Sequence, residues 1–493
     1  MTIGAEPSVE MASQPHVVVM PFPSKGHSTP FLHFAAKLTA LGVTITFVNS
    51  YEHVQPQDFQ SIGGLEQMKV VKIGGPVLPG DDIAKPLPMM AASERITQDL
   101  EDLLEKLVYT PGLPRPAALI CDVFFGWTQD VADKFKIPKY LLFTSPSSLL
   151  ALMSYVPTLL KLGRLPVGFE PFSDIPGVAS LKAAEMPSMM LDHKSIPEAY
   201  AFFLRHCDRL PDARGVLVNT FEDLEHRTLE CIRERIYGET SRLGKRSVLT
   251  IGPLLPAVYF EDNSKVSESN QEDTAEYLKW LDLQPEHSVL VISFGSFSSL
   301  RANQVTALAN GLLESGQTFL YVCRPPAAVD GSKPIDSTLK PLQYLPEDYE
   351  ERIKGQGVIV PGWIHQLGVL SHPAVGGFLT HCGWNSILES LCRGVPLLAW
   401  PLHGEQRMNK SRFVVDEAKV ALEFTMGPNG IVEAEEIAKV VKELFVSEKG
   451  NMVRVQAHQW KTLSAKAVAP GGSSASNLQR FVDEIFAPLN STH

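Results

Sequence analysis

The chain has 493 residues, 44% of them hydrophobic and 20% charged, with a formal net charge of −11. That composition suits a globular protein long enough for more than one core, and the acidic balance without any basic run disfavours nucleic acid as a partner. No run of 18 or more apolar residues occurs, so no membrane-spanning helix is expected.

Residues 1–14 are polar, without the basic and apolar regions of a secretory signal, and read as a disordered tail. The six cysteines, Cys121, Cys207, Cys231, Cys323, Cys382 and Cys392, form no C-x-x-C pair. Reduced thiols and a cytoplasmic location fit this better than a disulfide framework or a zinc site. His16 to Pro21 is an apolar run suited to a buried strand, and Val43 to Val48 is another. Between them Phe31, Leu32, Ala35, Leu38 and Leu41 recur at helical spacing. Ser28 or Thr29 is the expected cap, Pro30 suits the first turn, and Gly42 is the stop. A strand–helix–strand unit of this kind predicts a parallel sheet.

Further units follow in order. Ala117 to Cys121 is a strand ending in Asp122, Phe125 to Phe135 a helix, Lys139 to Phe143 a strand ending in Thr144, and Gly215 to Asn219 another strand. Residues 76–98 and 150–205 read as irregular. Met89, Met90, Met153, Met186, Met189 and Met190 lie in them, either lining an adaptable pocket or filling core under loops. Gly252-Pro253 and the polar run Glu261 to Thr274 predict a linker over 251–280. A second α/β series starts at Ser288, with strands at SVLVISF, Phe319–Cys323, Val358–Pro361, GGFLT and PLLAW. Helices are expected over Ala302–Ser315, over NSILESLCR and from Glu405 to about Lys419. Asn477 to Phe486 is an amphipathic helix.

The fold class is therefore α/β, with two Rossmann-like domains facing a cleft. The expected boundaries are an N-terminal acceptor-binding domain over 15–250 and a C-terminal donor-binding domain over 281–470. The helix of 471–493 is expected to return to the first domain. Ligands in such folds sit at the carboxyl ends of parallel strands.

Two places carry chemistry. His27 sits where the first strand hands over to its helix, and Asp122 ends another strand of the same sheet. A neutral imidazole there can abstract a hydroxyl proton, and a carboxylate on its far nitrogen would set the tautomer. On local sequence alone a histidine at such a turn is more often just a polar surface residue. The second place is the stretch from Trp363 to Gln406, WIHQLGVLSHPAVGGFLTHCGWNSILESLCRGVPLLAWPLHGEQ. A strand ends at His381, and a glycine turn leads into a helix. Its N-terminus, with His381, Asn385 and Ser386, suits a diphosphate. Glu389, one turn inside, can accept from ribose hydroxyls, and Trp363 can stack on a base. Glu405 and Gln406 suit sugar hydroxyls. Each of these has a plainer reading, a solvated Glu389 or a core Trp363.

The 44 residues from Trp363 to Gln406 resemble the plant secondary product glycosyltransferase box. That box marks family 1 UDP-dependent glycosyltransferases with the GT-B fold. The resemblance extends to PFPSKGHSTPFLHFAAKL, Asp122 and Phe124, VNTFEDLE, IGPLLP, SFGSFSSL, ANGLLESG and GGSSASNL. It implies His27 as catalytic base and Asp122 as its partner. For the donor it implies Thr144 near the sugar, Ser296 by the diphosphate, and Trp363 with Ile364 and Gln366 at the uracil. It further implies His381, Asn385 and Ser386 at the diphosphate, Trp384 at the sugar, Glu389 at the ribose, and Glu405 with Gln406 at the sugar hydroxyls. Three residues depart from the pattern: Lys25 stands where Gln is usual, His365 replaces a Pro, and Tyr321 replaces a common Trp at an expected core position.

The implied activity is inverting transfer of a sugar, with glucose favoured, from a UDP-sugar to a small lipophilic acceptor such as a flavonoid, other phenolic or terpenoid. Transfer to oxygen or to carbon stays open. No D-x-D tripeptide occurs, so no metal and no further cofactor is required. Nothing demands more than a monomer. The rival readings are a UDP-sugar epimerase of the same architecture and a non-catalytic binding protein. An NAD-dependent oxidoreductase is disfavoured, because neither domain's first turn carries G-x-G-x-x-G and Asn49 follows the second strand.

Overall fold

The computed structural model describes residues 15–60, 62, 65–75, 92–166, 168, 170–191, 194, 196–238, 246–261, 276–296, 299–324 and 345–490. The expected tail, Met89, Met90 and the polar run 262–274 lie outside them. In chain order the elements used below are β1 (His16–Met20), α1 (Lys25–Ala40), β2 (Thr44–Ser50), β3 (Met68–Ile73), β4 (Pro116–Asp122), β5 (Lys139–Phe143), α2 (Ser147–Lys161), β6 (Gly215–Val218), α3 (Glu222–Cys231) and β7 (Ser247–Thr250). Then come β8 (Val289–Ser293), α4 (Ala302–Ser315), β9 (Phe319–Cys323), β10 (Gly357–Pro361), α5 (Gln366–Ser371), β11 (Val375–Thr380), α6 (Trp384–Arg393), β12 (Leu397–Ala399), β13 (Ala421–Glu423), α7 (Ala434–Val446), α8 (Glu448–Val468) and α9 (Ser473–Asn490).

The chain divides into two compact units. One holds residues up to Leu142, Arg209–Leu217 and the chain from Asn477; the other holds Phe143–Asp208 and Val218–Ser476. In the first, the strands are ordered β3-β2-β1-β4-β5-β6. Parallel pairings join β1 to β2 and β4, β2 to β3, and β4 to β5. Every residue of β1 is buried, as an unbroken Val run requires when both faces are covered. The register sets Met20 of β1 beside Cys121 of β4, so these two strands end side by side. The C-terminal helix closes this core. Phe481 meets Tyr140 and Phe34 at ring distances of 5.1 and 6.2 Å, and the Tyr140 hydroxyl donates to Glu484 at 2.7 Å. Burial of a ring such as Phe481 contributes about 1.5–3 kcal/mol.

The second unit holds the sheet β10-β9-β8-β11-β12-β13, paired in parallel throughout. Alternation along β8 shows why both of its faces are covered. Val289 and Val291 join one core with Leu320, Phe378, Ile387 and Leu391, while Leu290 and Ile292 join another with Phe319, Leu379 and Ile437. Because the strands are parallel, their carboxyl ends all lie at one edge, and the loops after β8, β10, β11 and β12 emerge there. On α6, Ile387, Leu388 and Leu391 face the core, and Gly394 ends the helix in the left-handed conformation at φ 72°.

Several sequence expectations are corrected. The first helix begins at Lys25 rather than after Ser28, because the Ser24 carbonyl already accepts from the amides of His27 and Ser28. His27 is thus a first-turn helix residue. Residues 150–205 are not irregular throughout: they include most of α2 and a helix over Pro197–Arg209. Met153, Met186 and Met190 are fully buried there, which is core filling. β3 escaped notice because its pattern, MKVVKI, interleaves lysines at the sheet edge. Beyond Gln406 the helix continues, but Asn409–Glu417 is π-helical.

Candidate active site

In the first unit, β1 delivers His27 and β4 delivers Asp122. The Nδ1 of His27 lies 2.7 Å from Oδ2 of Asp122, whose side chain is wholly buried. The second carboxylate oxygen accepts from the Phe124 amide at 3.0 Å. Both oxygens are therefore engaged, and a carboxylate accepting from the ring makes Nδ1 the N–H nitrogen in the neutral tautomer. Nε2 then carries the lone pair, as a base requires. Aromatic rings line the imidazole: Phe22 at 5.6 Å and Phe124 at 5.5 Å between centroids, with Phe22 and Phe124 themselves 5.4 Å apart. Lys25, the departure from the family pattern, pairs with Asp58 at 2.5 Å.

In the second unit the strand ends gather the remaining candidates. Gly295 and Ser296 follow β8, Trp363 to Gln366 follow β10, His381 follows β11, and Glu405 with Gln406 follow β12. The His381 ring is clasped between two glycines. A Cβ at Gly295 would come 2.6 Å from its Cε1, and one at Gly383 would come 2.5 Å from its Nε2. Gly295 also has φ 74°, a conformation that favours glycine. Burial, with a smaller contribution from His403, pushes the His381 pKa down to about 3. At neutral pH it is an uncharged donor held in one orientation beside the N-terminus of α6. Asn385 is partly exposed and Ser386 buried on the first turn of α6.

Gln366 opens α5 and ties this turn to the rest of α6. Its Nε2 donates to Oε2 of Glu389 at 2.6 Å and to Oγ of Ser386 at 3.1 Å. Burial pushes the Glu389 carboxyl up to about 7, with the Gln366 bond opposing. Trp363 is 63% exposed. The Arg324 guanidinium lies 5.6 Å from its ring centroid and also donates to the Gly295 carbonyl at 2.9 Å. Ile364 packs against the core beside it. His365 keeps a φ of −74°, the value proline would impose, and its amide donates to the Tyr277 hydroxyl at 3.2 Å. The substitution thus preserves the turn and adds a hydrogen bond no proline can make.

Two residues have their side chains used inside the protein. Trp384 is buried, stacks edge-on against Phe413 and donates Nε1–H to the Asn219 carbonyl at 2.7 Å. Its indole N–H is thus engaged within the protein, and its backbone N–H lies at the start of α6. Gln406 is also buried, and its Oε1 accepts from the amides of Leu402 and His403 at 2.9 and 3.0 Å. Its NH₂ stands 3.5 Å from Nδ1 of His403, a long contact. Thr144 follows β5, and the N-terminus of α2 just beyond it is held by Glu225 of α3, which accepts from the amides of Ser147 and Ser148 at 3.0 and 3.3 Å. Glu225 and Arg324 are supporting residues that pattern reading missed, as was the packing of the turn glycines Gly295 and Gly383 against the His381 ring. Only the glycine-rich turns carried a local signal.

Known proteins are similar to this chain in sequence and in fold. Residues 246–462 match the family model described as UDP-glucoronosyl and UDP-glucosyl transferase, and residues 13–120 match the glycosyltransferase N-terminal domain. A hydroquinone glucosyltransferase from Rauvolfia serpentina is 35% identical over 95% of this chain and 97% of its own. UDP-glycosyltransferase 72B1 from Arabidopsis thaliana is 34% identical over 95% of this chain and 96% of its own. Among solved structures, a UDP-glucosyltransferase from Polygonum tinctorium capable of glucosylating indoxyl, in complex with 3,4-dichloroaniline, aligns with a TM-score of 0.82 at 31% identity. The alignment covers 96% of this chain and 99% of that one. Phytolacca americana UGT2, complexed with UDP-2-fluoro-glucose and pterostilbene, aligns with a TM-score of 0.80 at 30% identity over 96% and 99%.

Proposed function

The chain belongs to the plant UDP-dependent glycosyltransferase family, with the two Rossmann-like units of the GT-B fold, and from that premise we propose that it is an inverting glucosyltransferase acting on phenolic hydroxyls. One observation carries the reading: a histidine whose tautomer is set by a buried aspartate stands against the rings of Phe22 and Phe124. An aromatic wall beside a base favours a flat lipophilic acceptor. The names of relatives agree, since hydroquinone and indoxyl are aromatic hydroxyl compounds.

His27 Nε2 takes the proton of the acceptor hydroxyl, and Asp122 stabilises the imidazolium formed. The oxygen attacks the anomeric carbon as the bond to the UDP oxygen breaks on the opposite face, so the configuration inverts. The electron pair leaves on UDP. The N-terminus of α6 and the neutral His381 hydrogen-bond to the charge growing on the diphosphate. Trp363 stacks on the uracil, Glu389 accepts from the ribose, and Glu405 with the Gln406 NH₂ addresses the sugar hydroxyls. No metal is assigned a role, and turnover is expected to persist in a strong chelator. Loss of turnover restored by added divalent cation would overturn that part.

The test is to incubate the protein with UDP-glucose and a panel of phenolics, flavonoids and terpenoids, and to identify products by mass spectrometry. A mass gain of one hexosyl on phenolic acceptors is expected. Conversion of the UDP-sugar to an isomer without acceptor would favour the epimerase reading instead.

A further inference from the structure

The turn between β11 and α6 contains a residue in an unusual conformation. Cys382 has φ 65°, a region a side-chain-bearing residue adopts only when its surroundings enforce it. It is fully buried, between His381 and the Gly383 N-cap of α6. Two of its hydrogen bonds are local: its amide reaches Thr380 Oγ1 at 3.4 Å and its thiol reaches the Thr380 carbonyl at 3.7 Å. The third comes from elsewhere in the chain. Asn409 Nδ2 donates to the Cys382 carbonyl at 3.0 Å.

Asn409 lies three residues beyond Gln406 and is 1% exposed. Its own amide donates to the Glu405 carbonyl at 2.9 Å. It opens the π-helical stretch Asn409–Glu417, a rare geometry that is frequent at functional sites. Its other amide atom, Oδ1, is buried without a hydrogen-bond partner among the described residues. Packing alone would favour an apolar residue here. The side chain therefore joins two backbones: the turn that carries His381 and the segment that carries Glu405 and Gln406.

We propose that Asn409 is a positioning residue of the donor site. Through the Cys382 carbonyl it holds the left-handed turn that aims the His381 ring and the first amides of α6. This rests on reading His381, Asn385 and Ser386 as the diphosphate ligands. Asn409 touches no substrate; its effect passes through Cys382.

The test measures UDP binding to the full-length protein by calorimetry, with folding checked by thermal melting. Asn409→Leu keeps the buried volume should Asn409→Ala fail to fold. Either variant is expected to weaken UDP by roughly fivefold to tenfold, the loss of about one hydrogen bond. The KM for UDP-glucose should rise with it, while the KM for the acceptor stays unchanged. Cys382→Gly, in which the left-handed conformation is unstrained, is expected to bind within about threefold of the wild type. Adding Asn409→Leu to it should cost no more than about twofold, because the two changes act on one turn. Unchanged UDP binding in Asn409→Leu would overturn the proposal. So would a full tenfold loss on the Cys382→Gly background. A wild-type protein that does not bind UDP would instead overturn the donor-site reading itself.

Discussion

The Nδ1 of His27, on the first turn of α1, and the Oδ2 of Asp122, at the end of β4, are 2.7 Å apart. The second oxygen of Asp122 accepts from the Phe124 amide, so the carboxylate cannot turn away. An amide at this position can present NH₂ to Nδ1 and shift the imidazole proton to Nε2, the wrong tautomer for a base. Asp122→Asn is therefore expected to lower kcat by roughly 10²–10⁴, and His27→Ala by roughly 10²–10⁴. UDP affinity should hardly change in either. Full turnover in His27→Ala would remove the base assignment.

The two glycines around His381 make a sharper demand. Gly295→Ala and Gly383→Ala each drive a methyl into the imidazole, at 2.6 and 2.5 Å. At Gly295 the backbone strain at φ 74° adds to this. Either variant is expected to weaken UDP binding by about tenfold or more and to destabilise the fold by roughly 1–3 kcal/mol. Equilibrium binding and thermal melts read the two effects separately. Wild-type affinity in both would mean that His381 does not contact the diphosphate.

Glu389 predicts a pH dependence. Burial raises its carboxyl to about 7 in the folded protein, against about 4.3 in an unfolded chain. Between those values the folded state keeps a proton that the unfolded state releases. The contribution to stability is thus present below about pH 4 and is lost as the pH rises through 7. Glu389→Gln removes the titration, so its melting temperature relative to the wild type should be higher at pH 8 than at pH 5, by an equivalent of roughly 1–3 kcal/mol. UDP affinity of the wild type should rise from pH 6 to pH 8, since an ionised carboxylate accepts hydroxyl donors better. In the glutamine variant that dependence should flatten; identical profiles in the two proteins would refute the ribose assignment.

Trp363 and Arg324 offer a fourth check. The ring is 63% exposed and the guanidinium stands 5.6 Å from its centroid, a contact that contributes about 0.5–1 kcal/mol at an exposed site. Trp363→Ala is expected to weaken UDP by about 1–3 kcal/mol, the value of one base-stacking contact. Saturation by UDP should also change the indole fluorescence in the wild type and change it less in Trp363→Ala. An affinity unaffected by the substitution would make Trp363 a surface residue.

The parallel α/β architecture was legible because strands buried on both faces are written as unbroken apolar runs, such as Val17 to Val19 and Val289 to Ile292. Strand ends are legible for the same reason, and a parallel sheet sends every such end to one edge. His27 and Asp122 in one unit, and His381 with the Glu405–Gln406 pair in the other, could therefore be placed near the carboxyl ends of their own strands from local sequence alone. The 363–406 stretch carried the family resemblance as well.

Contacts between distant segments were not legible. Nothing near Gly295 announces that its missing side chain leaves room for the ring of His381. Nothing near Glu225 announces that it holds the amides of Ser147 and Ser148 at the start of α2. Trp384 and Gln406 look like ligand residues in the sequence. Only the packing reveals that the indole donates to the Asn219 carbonyl and that the Gln406 oxygen caps its own turn. Local sequence determines which residues reach the sheet edge, because side-chain alternation and strand length are short-range properties. The tertiary structure decides which atoms of those residues remain for a ligand, because each polar group first satisfies whatever backbone the fold brings against it.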